Sequence, residues 1–205
     1  MISIMEHFAT LGRNCLIEDR VRLGFQYRDR CLKARIGDNA VIRSMSLIYG
    51  DVVIGDNFRA GKGVVVRGNT RLGNDVELDN GVIIEGNVQI GDRVKIGARS
   101  YVPHDVIIGS QVILGEEVVL GFGRYTEETR CSPAGSVGTV IGDRVIIGSN
   151  SVIHPGINIG EESCILEGTT VTQDIPPQCI ATGAPAKVFP LTRELSKKMK
   201  MEFSR

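Results

Sequence analysis

Two of the three histidines in this chain, His104 in VPHDV and His154 in IHPGI, stand in similar Pro- and Gly-punctuated segments, and the third, His7, is near the start. An imidazole exchanges a proton near neutral pH, so it can serve as a general base, and three converging imidazoles could hold a metal. A polar stretch between the two, GFGRYTEETRCSPAGSVGTV, carries Tyr125, Glu127, Glu128, Arg130 and Cys131. Its carboxylates could orient a histidine, and with Tyr125 and Arg130 could contact a polar acceptor. A second polar stretch, FQYRDRCLKAR, carries Arg28, Arg30, Lys33 and Arg35, which suit a diphosphate or simply a solvated loop.

What positions these groups is a six-residue rhythm. From Ile36 to Leu120, fifteen consecutive units open on an aliphatic residue, and the rhythm resumes over Ile141, Ile147, Ile153, Ile159, Ile165 and Val171. Leu11, Ile17 and Leu23 precede it at the same spacing. A fixed short period predicts a solenoid, and no amphipathic helix could follow it for ninety residues. Gly-Asp-like turns such as IGDN at 36 and 54 and IGDR at 90 and 141 recur every eighteen residues outside the interruption, which makes three hexads per turn of the solenoid. Gly and Asp suit tight turns because they tolerate positive φ or bond their own backbone, while the fifth position, often Val or Ile, supports a short strand. The expected fold is an all-β parallel β-helix of about eight three-sided coils, roughly 38 Å long at the ordinary strand spacing.

Both interruptions, at 24–35 and 121–140, follow a third hexad and therefore leave the prism along one edge. His104 and His154 lie on that edge, with the second loop between them and an expected separation of roughly 10 Å. His104 also takes the turn position filled by Gly50, Gly68 and Gly86 in earlier coils, so its side chain should point outward. The expected organisation is a lead-in at 1–10, the β-helix at 11–178 and a closing segment at 179–205. The last part is rich in proline and then places Leu191, Leu195, Met199 and Phe203 at helical spacing, which predicts a short α-helix packed on protein.

Bulk properties exclude several classes. The chain has 24 basic and 24 acidic residues and no Trp, so neither a basic field nor a base-stacking platform invites nucleic acid or an anionic membrane. No apolar run approaches the roughly 20 residues of a membrane span, and the start lacks the pattern of a secretory signal. Five cysteines without a CxxC pair read as reduced thiols, and a cytoplasmic location is expected.

The IGxxxx units, the phase-breaking loop, and then VIIGSNSVIHPGINIG, VTQDIPP and GAPAKV resemble the hexapeptide-repeat acyltransferases, and the closing order is similar to sugar and xenobiotic acetyltransferases of that group. The resemblance implies left-handed winding, a homotrimer with sites in clefts between prisms, and acetyl-CoA as acyl donor with no metal. It implies that the backbone at Ser149 and Gly168 contacts the pantetheine arm and that Lys187 lies near the nucleotide end of coenzyme A, while Gln173 replaces a frequent basic companion. A γ-type carbonic anhydrase shares the architecture but needs three converging histidines.

Many sugar O-acetyltransferases of this group carry their histidine in the protruding loop, and this loop has none. Three explanations stand open: His104 is the base, His154 is the base, or the acceptor is a sugar amine, which needs no strong base. The expected function is transfer of an acetyl group to a hydroxyl or amine of a sugar or nucleotide-sugar by direct attack on the thioester. The rival is a non-catalytic β-helix scaffold.

Overall fold

The computed structural model describes residues 8–121 and 138–192, with Glu194 and Lys197 beyond them. Every hexad opener of the sequence rhythm is a strand residue, and in the coils that follow the first each is buried. The strands form three parallel sheets, each pairing a strand with the one about eighteen residues later. The coils are numbered 1 to 8, from Leu11–Ile17–Leu23 to Ile159–Ile165–Val171. The first, second and third sheets hold the first, second and third openers. The β-helix is left-handed, against the general preference of parallel crossovers. A hairpin of Cys179–Thr182 and Lys187–Pro190 closes the second sheet. Of the expected C-terminal helix, Glu194 and Lys197 are helical and the rest lies outside the described residues.

The strands are shorter than the pattern predicts, and the fifth position is not in them. Each typical strand is the sixth residue of one hexad and the opener of the next, as in Val41–Ile42, with the sixth facing out and the opener facing in. The fifth residue, for example Val52, Val64, Val76 or Val94, fills an inner corner at 0% exposure, so the core has two columns per side rather than one. Phe58 is the one fully buried aromatic among the described residues; the small Ala40 stands opposite it in the preceding coil, and Ala60 follows two residues on. Volume is thus conserved where the aliphatic pattern lapses.

The Gly-Asp corners also work differently from the sequence expectation. Gly37, Gly55, Gly73 and Gly91 do not adopt positive φ; the residue two further on does, at Asn39, Asn57, Asp75 and Arg93, with φ of 56–60°. The glycine is required by stacking, because a Cβ on Gly55 would lie 2.7 Å from the Gly73 carbonyl oxygen of the next coil. Nor does the aspartate bond its own backbone. Asp56 Oδ1 accepts the Asp38 amide at 2.7 Å, Asn74 Oδ1 accepts the Asp56 amide at 2.9 Å, and Asp92 Oδ1 accepts the Asn74 amide at 2.8 Å. Side chains of one coil thereby satisfy backbone donors of the coil before it.

The 24–35 insertion is tied to the prism through Asp51, whose side chain is 5% exposed. Its carboxylate accepts the Leu32 amide at 2.8 Å, the Tyr27 hydroxyl at 3.1 Å and the Arg28 guanidinium at 2.9 Å. Burial alone would raise this carboxyl, but the Leu32 amide, the Cys31 thiol, Arg28 and Tyr27 together hold it below the usual carboxylate range. Burial and the bond to Asp51 push the Tyr27 phenol up, so it stays a donor.

Two outcomes follow for thermal unfolding. Gly55→Ala should cost about 2–3 kcal/mol, or about 5–10 °C, because a neighbouring backbone must move, whereas Gly63→Ala, at φ 68° with open space around it, should cost about 1–2 kcal/mol from φ alone. Asp51→Ala should cost about 1–3 kcal/mol at neutral pH and expose the 24–35 loop to protease. Because the native carboxyl titrates below its unfolded value of about 3.9, this contribution is fully present above that pH and is lost as pH falls through the native value. The gap in stability between wild type and Asp51→Ala should therefore close only in acid.

Candidate functional site

Two edges of the prism border the third sheet, and the sequence-predicted residues divide between them. The edge between the third and first sheets carries His104 and His154. Their strands, Tyr101–Val102 and Val152–Ile153, are separated by Val119–Leu120, two coil rises or about 10 Å along the axis. The loop holding Tyr125, Glu127, Arg130 and Cys131 lies outside the described residues, as does His7, but both ends of the loop are placed. Gly121 leaves beside His154, its amide bonding the Ile153 carbonyl at 2.6 Å, where a Cβ would stand only 2.8 Å from Pro155 Cδ. Gly138 returns against the Asp105 backbone, so closely that a Cβ there would overlap the Asp105 carbonyl. The loop therefore starts at one histidine and ends at the other.

The two histidines differ in setting. His154 is exposed, and its amide bonds the Val171 carbonyl at 2.9 Å. His104 is half-buried, and its Nδ1 meets Asp105 Oδ2 at 2.5 Å. Since a carboxylate only accepts, the pairing assigns the proton to Nδ1 and leaves Nε2 as the basic nitrogen. Asp105 Oδ1 in turn accepts from the Asn87 side-chain amide. Asp51, Asn69, Asn87 and Asp105 occupy the same corner of successive coils, all with φ of 58–63°. Sequence reasoning singled out His104 but missed Asp105 and Asn87; their signal was the eighteen-residue recurrence of Asp or Asn at that corner.

The edge between the second and third sheets carries Ser149, Gly168 and Lys187 in coil 7, coil 8 and the closing hairpin. Ser149 Oγ accepts the Glu116 amide at 3.1 Å, and its carbonyl accepts the Gly168 amide at 2.9 Å. The Ser149 amide itself makes no hydrogen bond among the described residues. Registry between Ile147 and Ile165 stacks Glu167, not Gly168, on Ser149; Gly168 stacks on Asn150, and its φ of 66° opens onto empty space. The turn before Lys187 docks through Ala186, whose amide bonds the Thr170 carbonyl at 2.9 Å, and Lys187 is exposed. A row of backbone and one cation thus runs along this edge, suited to an extended ligand ending in phosphate.

Within one chain the two edges do not meet. A six-residue side of the prism separates them, on the order of 20 Å of nearly extended chain. The side between them is apolar on its outer surface: Leu47, Val65, Ile83, Tyr101, Val119 and Val152 are its outward residues in successive coils, and Ile83, Val119 and Val152 are 37–40% exposed. The other two sheets are mixed at the matching outward positions: Arg35, Arg71 and Gln89 stand with Val53, Ile107 and Val140 on the first, and Arg59, Glu77 and Lys95 with Val41, Ile113 and Ile146 on the second. Among the described residues no three His, Cys, Asp or Glu side chains gather as a metal would require, and no helix is long and apolar enough to cross a membrane.

Known proteins match this chain in part of its sequence and in its fold. The bacterial transferase hexapeptide (six repeats) model matches residues 87–121 and 138–173. Over 89 residues the chain is 37% identical to galactoside O-acetyltransferase of Escherichia coli (strain K12), covering 42% of this chain and 44% of the relative. It is 39% identical over 93 residues to the bifunctional protein GlmU of Rubrobacter xylanophilus, covering 45% of this chain and 19% of that one. The chain thus spans less than half the length of these curated relatives. Among solved structures, a UDP-N-acetylglucosamine acyltransferase from Campylobacter jejuni superposes with a TM-score of 0.70 at 22% identity, over 96% of this chain and 79% of that one. AntD, an N-acyltransferase from Bacillus cereus in complex with dTDP and coenzyme A, gives a TM-score of 0.59 at 19% identity, over 82% and 89%. At those identities the structures speak for the fold alone. Over residues 87–121 and 138–173 the repeats are similar to those of the bacterial hexapeptide transferases, and the fold of the chain is one they share.

Proposed function

We propose that this chain is an acyltransferase that moves an acetyl group from acetyl-CoA to a hydroxyl or amino group of a sugar or nucleotide-sugar, with His104 as the base. The observation that carries this reading is the His104–Asp105 pair at 2.5 Å, set where other coils have glycine and where the long loop returns. Asp105 holds the ring with Nδ1 protonated, and Nε2 takes the acceptor proton as the acceptor attacks the thioester carbonyl. The carbon–sulfur bond then breaks, and the imidazolium returns the proton to the departing thiolate. His154, two coils away and exposed, is the second candidate for the base.

The donor belongs on the other edge. The unpaired Ser149 amide can hold a pantetheine carbonyl, the open turn at Gly168 leaves backbone accessible to the arm, and Lys187 can pair with a phosphate of the nucleotide end. Since the edges lie a full side apart, donor and base meet only if two protomers meet. A homotrimer that buries the apolar third-sheet face would bring the donor edge of one protomer to the histidine edge of the next. Tyr125, Glu127 and Arg130 are proposed acceptor contacts from the loop between the histidines.

Saturating acetyl-CoA, at about 100 times its dissociation constant, should raise stability by roughly 2.7 kcal/mol, read as an upward shift in thermal midpoint. Light scattering should return the mass of three chains, 66.6 kDa from the 22.2 kDa chain. A trimer without any shift would favour a non-catalytic scaffold. His104→Ala should lower kcat by about 10²–10⁴-fold with little change in acetyl-CoA binding, and Asp105→Asn should produce a smaller loss of the same kind. Unchanged turnover of His104→Ala with the true acceptor would remove this residue from the mechanism.

A further inference from the structure

Four successive coils of the histidine edge carry Gly50, Gly68, Gly86 and His104 at one turn position. Cys31 covers Gly50, and the Tyr27 ring covers Gly68 so closely that a Cβ on either glycine would overlap it. At Gly86 a Cβ would stand 2.7 Å from the Gly68 carbonyl oxygen, but among the described residues no side chain lies within 4 Å of that point, and Gly86 is half-exposed. Among the described residues no side chain covers the one coil between Tyr27 on one side and His104 on the other. Those two positions are two coil rises apart, about 10 Å. The space between them suits a single ring.

The walls of this gap are firm and chemically distinct. Tyr27 is held by its bond to Asp51 at 3.1 Å and by the Tyr49 ring at 5.6 Å between centroids, and both partners belong to coil 2. Tyr27 nonetheless remains 40% exposed. The residues just before Gly68 and Gly86 form an ion pair, Arg67 Nη1 to Glu85 Oε2 at 2.7 Å, with Glu85 19% exposed. At the far wall stands the imidazole with its carboxylate. An aromatic face, a charged pair at the flank and a base opposite match a pyranose, whose C–H face is apolar and whose rim is hydroxyl.

Resting on the transferase reading above, we propose that this gap is the acceptor's pyranose subsite, in which Tyr27 is the specificity-determining wall. The ring packs on Tyr27, its rim hydroxyls bond the Arg67–Glu85 pair, and the hydroxyl or amine to be acetylated faces His104. The Asp51 anchor of the 24–35 loop thereby acquires a second consequence: it fixes the width of the subsite. Tyr27 touches the non-reacting face of the sugar, so its loss should weaken acceptor binding without slowing chemistry at saturation.

The test compares wild type with Tyr27→Ala, Tyr27→Leu and Tyr27→Phe. Acceptor KM should rise about tenfold in the Ala and Leu variants and stay within about twofold in Phe, with the acetyl-CoA KM unchanged in all three. Leu fills the volume without the ring, so an effect shared by Ala and Leu but not Phe separates stacking from loop anchoring. Unchanged acceptor KM in both Ala and Leu overturns the assignment. Saturation-transfer NMR with glucosamine, methyl galactoside and UDP-N-acetylglucosamine reads the subsite without turnover. Transfer to a pyranose ring that disappears in Tyr27→Ala supports the subsite even if no thiol release from acetyl-CoA is found, which would count against the transferase alone. No transfer to any of the three probes overturns the subsite.

Discussion

Coil-to-coil contact at the corners governs everything else in this molecule. Strands of two or three residues cannot hold a sheet by themselves, and stability comes from stacking each coil on the last at the ordinary strand spacing. That spacing is reached only because Gly37, Gly55, Gly73 and Gly91 present no Cβ to the backbone above them. It is then locked by side-chain oxygens of Asp56, Asn74 and Asp92, which accept amides from the preceding coil. Corner contact sets the rise, the rise sets the register, and the register places every outward side chain.

Function is written into departures from that regularity. Where the corner glycine is kept, a loop can fold down on it, as Cys31 and Tyr27 do on Gly50 and Gly68. Where it is replaced by His104, an imidazole stands clear of the core beside Asp105, at a corner whose Asp or Asn recurs in other coils for backbone reasons. A structural ladder is thereby converted into a histidine–carboxylate pair by one substitution. The two insertions leave from one edge, one before the coil of His104 in the chain and one after it.

The third-sheet face is where the proposed homotrimer would close. Ile83, Val119 and Val152 are exposed on this face; its counterparts on the other sheets are Arg71, Gln89, Glu77 and Lys95 in coils 4 and 5, but Ile107, Val140, Ile113 and Ile146 in coils 6 and 7. That face lies between the edge bearing Ser149 and Lys187 and the edge bearing His104, and a contact across it is the shortest way to join them. Association and chemistry would then share one surface, which fits a cleft built from two protomers.

Much of this was legible in the residues alone. A period of six with aliphatic openers specifies a three-sided solenoid because only inward positions at that spacing can stack, and the phase break after Leu120 marks the loop's departure and its edge. His104 stood out for the same reason, as a bulky side chain where the repeat has glycine. The sequence could not show that Gly-Asp corners serve the neighbouring coil rather than their own turn, since a one-dimensional pattern does not reveal which backbone lies above. Nor could it pair His104 with Asp105 and Asn87, seat Tyr27 on Gly68, or separate Ser149 and Lys187 from the histidines by a full side of the prism. Periodicity is a local property and survives in the string of residues. Which unlike residues become neighbours depends on the rise and winding of the folded coils, and only the tertiary structure decides it.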